Sequence, residues 1–258
     1  MTNAELFSLE GKTAVVIGGG GVLAGEMALG LARAGADIAI IGRSQEKADA
    51  RAEEVRALGR KAIGISCDTS NKAALEASHA SILEKFGGVD ILVNGAGVNS
   101  ATPFFEITEE EWQRIVDINL KGVFLACQVF GKTMVESGKG GSVINISSAS
   151  SGPPLSKVFT YGVTKGGVNQ ITQFLAREWA EHRVRVNAII PGFFPAEQNR
   201  KILTEERVAA IFGHTPMKRF GEANELVGAT VFLASEKASS FVTGAILRVD
   251  GGFLAMTI

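Results

Sequence analysis

Short runs rich in Val, Ile and Ala recur along the chain, each followed by a segment with helical periodicity. They read T-A-V-V-I-G from Thr13, D-I-A-I-I-G from Asp37, A-I-G-I-S from Ala62, V-D-I-L-V-N from Val89, S-V-I-N-I-S from Ser142 and R-V-N-A-I-I from Arg185. Nearly continuous apolar runs are strands covered on both faces, because a strand with one wet face alternates apolar and polar residues. Regular alternation with helices builds parallel β-α-β units. A last run, A-I-L-R-V-D from Ala245, follows two helical segments and makes a seventh strand. The expected fold is α/β, a doubly wound, Rossmann-type parallel sheet of seven strands, with residues 1–258 forming one domain.

The chain has 258 residues, 46% of them hydrophobic, enough for one large core without a linker. With 26 basic and 27 acidic residues the net charge is −1, which leaves no electrostatic footprint for nucleic acid or an anionic membrane. The expected partner is a small molecule. Cys67 and Cys127 sit in apolar surroundings, which points to reduced, buried thiols and a cytoplasmic protein. The opening M-T-N-A-E-L-F-S-L-E-G-K lacks the apolar core of a signal peptide, and no run of about 18 apolar residues occurs.

Gly18, Gly19, Gly20 and Gly21 follow the first strand and precede a helical stretch from Val22 to Ala34. Glycines there let the backbone approach a pyrophosphate, and the N–H groups and dipole of the helix favour its charge. The expected contacts are Gly18, Gly20, Gly21, Val22 and Leu23; the alternative is a glycine turn with no ligand. The second strand ends in Gly42, Arg43 and Ser44, with no acid at the tip. A carboxylate there would select NAD by accepting from both ribose hydroxyls, whereas Arg43 can pair with a 2′-phosphate, so the expectation is NADP over NAD. If Arg43 only stacks over adenine or stays solvated, NAD remains.

Tyr161 and Lys165 are four residues apart, a spacing that stacks both on one helix face. A free phenol titrates near pH 10, and a nearby cation favours phenolate, which moves the group towards the range of a general acid or base. Ser147 and Ser148 close the fifth apolar run, so a hydroxyl leaves a strand end where it could hold a carbonyl or alcohol oxygen. Asn119 falls in the apolar part of a long segment that begins near Thr108, where a polar side chain needs a partner.

Taken in order, Asn119, Ser148, Tyr161 and Lys165 resemble the catalytic tetrad of the short-chain dehydrogenase/reductase family, and the resemblance covers nearly the whole chain. It implies hydride transfer between a nicotinamide cofactor and a carbonyl or alcohol. Tyr161 would be the acid, Ser148 would hold the oxygen, Lys165 would bind the nicotinamide ribose, and Asn119 would hold a water in the proton relay; a buried Asn119 bonding the helix backbone is the plainer alternative. The glycine loop departs from the family's T-G-x-x-x-G-x-G, with Ile17, Val22 and Ala24 at three of its positions. Asp68 and Thr69 resemble the adenine-contacting stretch, and Asn94-Gly95-Ala96-Gly97 resembles the family's N-N-A-G, with Asn94, Ala96 and Gly97 as cofactor wall. Pro191 and Gly192 resemble the turn beside the nicotinamide, although Ala196 replaces a Thr that often follows. Members commonly pack the helix bearing Tyr161 and the one before it across subunits, which implies a homotetramer, or a dimer.

The segment from about 193 to 216 corresponds to the family's substrate lid. The wordings G-G-G-G-V-L, P-G-F-F-P-A-E-Q-N-R and H-T-P-M-K-R-F-G-E look like the sugar-acid branch that interconverts fructuronate and mannonate, with Arg200 pairing a substrate carboxylate. Phe193, Phe194, Ile211 and Phe212 support instead a 3-oxoacyl, polyol or gluconate-type reductase. A dinucleotide sensor without chemistry is the alternative of another class. His79, His182 and His214 have no Cys or His neighbour at ligand spacing, so no metal site is expected; His214 would line the lid, and the other two would be surface residues.

Overall fold

The computed structural model describes residues 1–195 and 203–256. All seven anticipated strands form: β1 (Thr13–Ile17), β2 (Asp37–Gly42), β3 (Ala62–Ser66), β4 (Ile91–Asn94), β5 (Gly141–Ile146), β6 (Val184–Pro191) and β7 (Ile246–Val249). They pair in parallel in the order β3-β2-β1-β4-β5-β6-β7.

Alternate residues of the same strand feed two separate cores, which is why the runs carry almost no polar residue. Ala14 and Val16 of β1, Ile91 and Val93 of β4, and Ile144 and Ile146 of β5 face one side. Val15, Ile17, Leu92 and Val143 face the other. A short helix, α1 (Asn3–Phe7), buries no residue and precedes β1; the first core is closed by α2 (Val22–Arg33), α3 (Gln45–Ala57) and, late in the chain, the segment Val227–Ala234. The second is closed by α4 (Lys72–Phe86), by α5, a continuous helix over 109–136, and by α6 (Phe159–Trp179). Each fully buried Leu, Ile or Met contributes about 1.5–3 kcal/mol of burial, so Met27, Leu75, Ile82 and Ile115 (all within 1% of zero exposure) anchor helices rather than decorate them.

Helix starts are set by local chemistry. Ser44, Asn71 and Thr108 cap α3, α4 and α5 by accepting from the backbone N–H three residues on. Gly21, at the start of α2, offers no side chain to its helix. Helix α5 carries two π-helical turns, Asp117–Lys121 and Cys127–Gly131; such turns insert a residue and rotate the face beyond them. Two further helices, α7 (Glu205–His214) and α8 (Val227–Ala234), follow β6.

Strand order reverses between β1 and β4, so the loops leaving their carboxyl ends diverge and open a crevice. The Gly18 loop and the Gly95–Gly97 stretch form its two lips. Among the described residues no helix is long and apolar enough to cross a membrane.

Candidate active site

Gly18 follows β1 with φ +81°, a left-handed conformation, and any Cβ there would stand 2.7 Å from the backbone nitrogen of Ala96. The two lips therefore touch through backbone alone. Gly18, Gly19 and Gly21 use their N–H groups internally, donating to the carbonyls of Ile41 (2.7 Å), Val16 (3.3 Å) and Gly18 (2.9 Å). The donors left facing outward are those of the first turn of α2, Val22 to Ala24, which have no intrahelical partner and no capping side chain. An uncapped helix start behind a loop that excludes Cβ atoms fits a pyrophosphate.

The crevice continues in both directions. One end, a cavity of about 230 Å³, is walled by Gly42, Arg43, Asp68, Thr69, Ala96 and Ile118. The Asp68 carboxyl is held below its ordinary range by Ser70, whose hydroxyl and N–H both donate to it, with smaller help from the charges of Arg43 and Lys121. The other end, about 500 Å³, brings Leu23, Gly97, Ser148, Tyr161, Lys165, Pro191, Gly192 and Phe194 together. Gly18, Gly21, Gly95, Gly97 and Val98 border both, so most of the anticipated cofactor and reaction residues line one groove, while Gly20, Ser44, Asn94 and Asn119 do not border it.

Within it, Ser148 and Tyr161 line the same wall, and the serine hydroxyl favours the ionised phenol. Lys165 is buried, and its Nζ donates to the carbonyl of Ile146 at 2.7 Å while lying 5.5 Å from the centre of the Tyr161 ring. Burial pushes the ammonium down to about 8. The phenol contradicts the sequence expectation: burial pushes Tyr161 above its ordinary value, and only Ser148 pulls it back. Desolvation of the phenolate outweighs the lysine, whose donor is aimed at a strand carbonyl.

Asn119 sits in the first π-helical turn, fully buried. Its Oδ1 accepts from Val98 N–H at 2.8 Å, and its Nδ2 donates to Val98 O at 2.8 Å and to Thr164 Oγ1 at 3.2 Å. The side chain thus clamps the loop after β4 to α6 instead of bonding its own helix. A Cβ on Gly97 would lie 3.6 Å from both Asn119 Oδ1 and Lys165 Nζ, so this clamp holds the loop over the lysine.

Several expected contacts are placed differently. Asn94 turns into the core, donating to Asn145 Oδ1 at 2.8 Å, and Asn145 in turn donates to Thr172. Ser44 caps α3. His79 is no free surface residue, since it is bonded to Thr133 and set edge-on against Phe130. His214 lies edge-on against Phe253, and His182 is near Glu181 on the surface. Arg200 and Ala196 lie outside the described residues. Among the described residues no group of three His, Cys, Asp or Glu could hold a metal ion. The chain Asn94–Asn145–Thr172 is not anticipated by the sequence reading; its signal is an Asn in the middle of V-I-N-I-S, a polar residue inside a buried strand.

Comparison with known proteins agrees with this geometry. A family model described as Enoyl-(Acyl carrier protein) reductase matches residues 21–254. The chain is 39% identical to the 2-dehydro-3-deoxy-D-gluconate 5-dehydrogenase of Escherichia coli (strain K12), across 96% of this chain and 98% of that one. A gluconate 5-dehydrogenase from Burkholderia cenocepacia J2315, solved with NADP and tartrate, superposes with a TM-score of 0.94 at 34% identity, covering 99% of this chain and 100% of the other. A Haemophilus influenza protein with bound NAD, provisionally assigned as a D-mannonate oxidoreductase, does so with a TM-score of 0.94 at 35% identity over 99% of both chains. The chain belongs to the short-chain dehydrogenase/reductase family, in its sugar-acid branch.

Proposed function

We propose that this NAD(P)-dependent oxidoreductase interconverts a keto group and a secondary alcohol on a six-carbon sugar acid of the gluconate type. The observation that carries the reading is the convergence of Ser148, Tyr161 and Lys165 at the end of the groove bordered by Gly97, Pro191 and Gly192. The bound dinucleotide supplies or accepts the hydride at its nicotinamide ring. In the reducing direction Ser148 and Tyr161 hold the carbonyl oxygen, and Tyr161 donates its proton to it. A phenol raised by burial remains protonated at neutral pH, which suits this donation. In the oxidising direction Tyr161 must ionise, and Lys165 is the group placed to favour phenolate once a ligand draws its ammonium away from Ile146 O. Asn119 keeps the Gly97–Val98 loop in place beside Lys165.

The relatives acting on gluconate and 2-dehydro-3-deoxygluconate at carbon 5 support the gluconate type. Interconversion of fructuronate and mannonate is the second reading, favoured by the resemblance to the Haemophilus influenza protein. Arg43, exposed at the tip of β2 with no acid beside it in sequence, supports NADP as the preferred dinucleotide. An apolar stripe left exposed along α5 and α6, comprising Trp112, Phe124, Phe159, Val163 and Phe174, supports self-association into a dimer or tetramer. The assigned location is the cytoplasm.

The test is a fluorescence titration of the purified protein with NADPH and, separately, NADH. It is followed by turnover with 5-ketogluconate, 2-dehydro-3-deoxygluconate, fructuronate, neutral polyol-derived ketones and 3-oxoacyl thioesters. Turnover confined to the keto acids is the expected result. Turnover confined to thioesters or neutral ketones overturns the substrate class, and tight binding without turnover anywhere favours a sensor.

A further inference from the structure

A sugar acid brings a carboxylate to the groove, yet Lys165 is the one cation among the described residues that line its reaction end, and its ammonium is bonded to Ile146 O. Among the described residues, the cations able to meet the carboxylate stand at the rim. We propose that Arg207, at the first turn of α7, is the residue that recognises the substrate carboxylate, with Ser156 and Lys157 beside it. This rests on the sugar-acid reading above and assigns the specificity of that site.

The placement is unusual for a surface arginine. Thr204 caps α7 by accepting from Arg207 N–H, which fixes the residue on the helix. The guanidinium then crosses to the segment between Ser148 and Tyr161, where its Nη1 donates to Ser156 Oγ at 2.8 Å. Ser156 stands shortly before Tyr161 in the chain, so Arg207 reaches the strip that presents the assigned acid. Leu155 packs against Ile190, Phe253 and Phe193, which seats this strip on the strand end beside the turn at Gly192.

Arg207 is half-buried, and no acid lies within ion-pair distance of it among the described residues, the neighbouring Glu205 and Glu206 included. The remaining N–H groups of its planar fork suit two-point recognition of a carboxylate. Lys157, the next residue after Ser156, is held at φ +62°, a left-handed conformation that a lysine adopts only under constraint. It is exposed and has no acidic partner among the described residues. Of the other cations near this face, Arg219 is paired with both carboxylate oxygens of Glu225, Arg248 donates to Leu254 O, and Lys218 donates to Phe212 O and Gly213 O. A hydroxyl bonded to a guanidinium that has no acidic partner among the described residues, with Lys157 next in the chain and Tyr161 on the same strip, suits a carboxylate rather than an acyl chain.

The experiment compares sugar acids with their primary amides, which keep the shape and remove the charge, in the wild type and in Arg207→Gln, Arg207→Lys and Ser156→Ala. Arg207→Gln is expected to lower kcat/KM for the acids by about 10- to 100-fold, the range for losing a hydrogen bond to a charged group, chiefly through KM. Its values for the amides and its NADPH dissociation constant should stay within about twofold of wild type. Arg207→Lys should fall between, and Ser156→Ala, which removes the hydroxyl that seats the guanidinium, should lower kcat/KM for the acids by a smaller factor, about 2- to 10-fold, with the amides unchanged. Equal losses for acids and amides mean that Arg207 is only a strut, and that overturns the assignment. A wild-type preference for acids that Arg207→Gln retains also overturns it while leaving the sugar-acid reading intact. A wild type with no preference for acids over amides overturns that reading and this one together.

Discussion

A Cβ on Gly95 would stand 2.7 Å from the Cβ of Ala24. Ala24 is one of the three positions at which the glycine loop departs from the family pattern, where it gains a methyl, and Gly95 is the position at which the N-N-A-G stretch departs, where a side chain is lost. They face each other across the crevice, so the two departures are a single exchange of volume between α2 and the loop after β4. The irregular glycine loop is thereby reconciled with a closed groove.

Gly95→Ala should accordingly cost about 1–3 kcal/mol of stability through overpacking and weaken dinucleotide binding. Adding Ala24→Gly should recover part of the loss, because Ile17 O also lies only 3.1 Å from the new methyl. Denaturant unfolding of the two single variants and the double variant measures the coupling; strict additivity would mean that the residues do not share the space.

Tyr161→Phe removes the assigned proton donor. Turnover should fall by about 10²- to 10⁴-fold, the usual share of general acid–base catalysis, with the fold and NADPH affinity unchanged. Stopped-flow or steady-state absorbance of the nicotinamide, alongside the fluorescence titration, separates the two effects.

Lys165, lowered by burial to about 8, makes the unliganded protein more stable as pH rises. An unfolded lysine keeps its proton to about pH 10.4, so between about pH 8 and 10.4 the unfolded chain binds more protons and unfolding becomes harder. The gain is on the order of 2–3 kcal/mol across that window. Thermal melts of wild type minus Lys165→Met should show it as a slope that is flat below about pH 7.

Gly221 carries the ring of Phe194, from which a Cβ would be only 2.3 Å away, and its N–H donates to Phe193 O at 2.9 Å. Phe193 and Gly221, which stand on either side of the segment proposed as the substrate lid, are therefore tied together, and Phe194 also lines the groove. Gly221→Ala should swing the ring aside and raise KM several-fold with little change in Tm; a large loss of Tm with KM unchanged would place the contact in the core instead.

Phe174→Asp puts a charge in the exposed stripe of α6, where Phe174 is 62% exposed in the single chain. Light scattering should register a smaller assembly than wild type. An unchanged mass would move the contact elsewhere.

Much of this protein is legible in its amino-acid sequence. The strands can be read because both faces of β1, β2, β4, β5 and β6 are buried, so their sequences are apolar at nearly every position, while the edge strands β3 and β7 are only partly covered; the intervening helices declare themselves by period and cap. Ser148, Tyr161 and Lys165 can be read because their spacing is local, within one strand end and one helix. What tertiary structure decided were relations between distant segments. The raised phenol of Tyr161 depends on burial, which no spacing reports, and on Lys165 being turned to Ile146 O. Asn119 clamps Val98 because a π-helical turn rotates it there, and Asn94 points to Asn145 because adjacent strands pair in register at those residues. The exchange of volume between Ala24 and Gly95, and the reach of Arg207 to Ser156, join residues 71 and 51 positions apart in the sequence. Steric fit between such segments depends on where the sheet brings the backbone, and the sequence alone contains only the sizes of the parts.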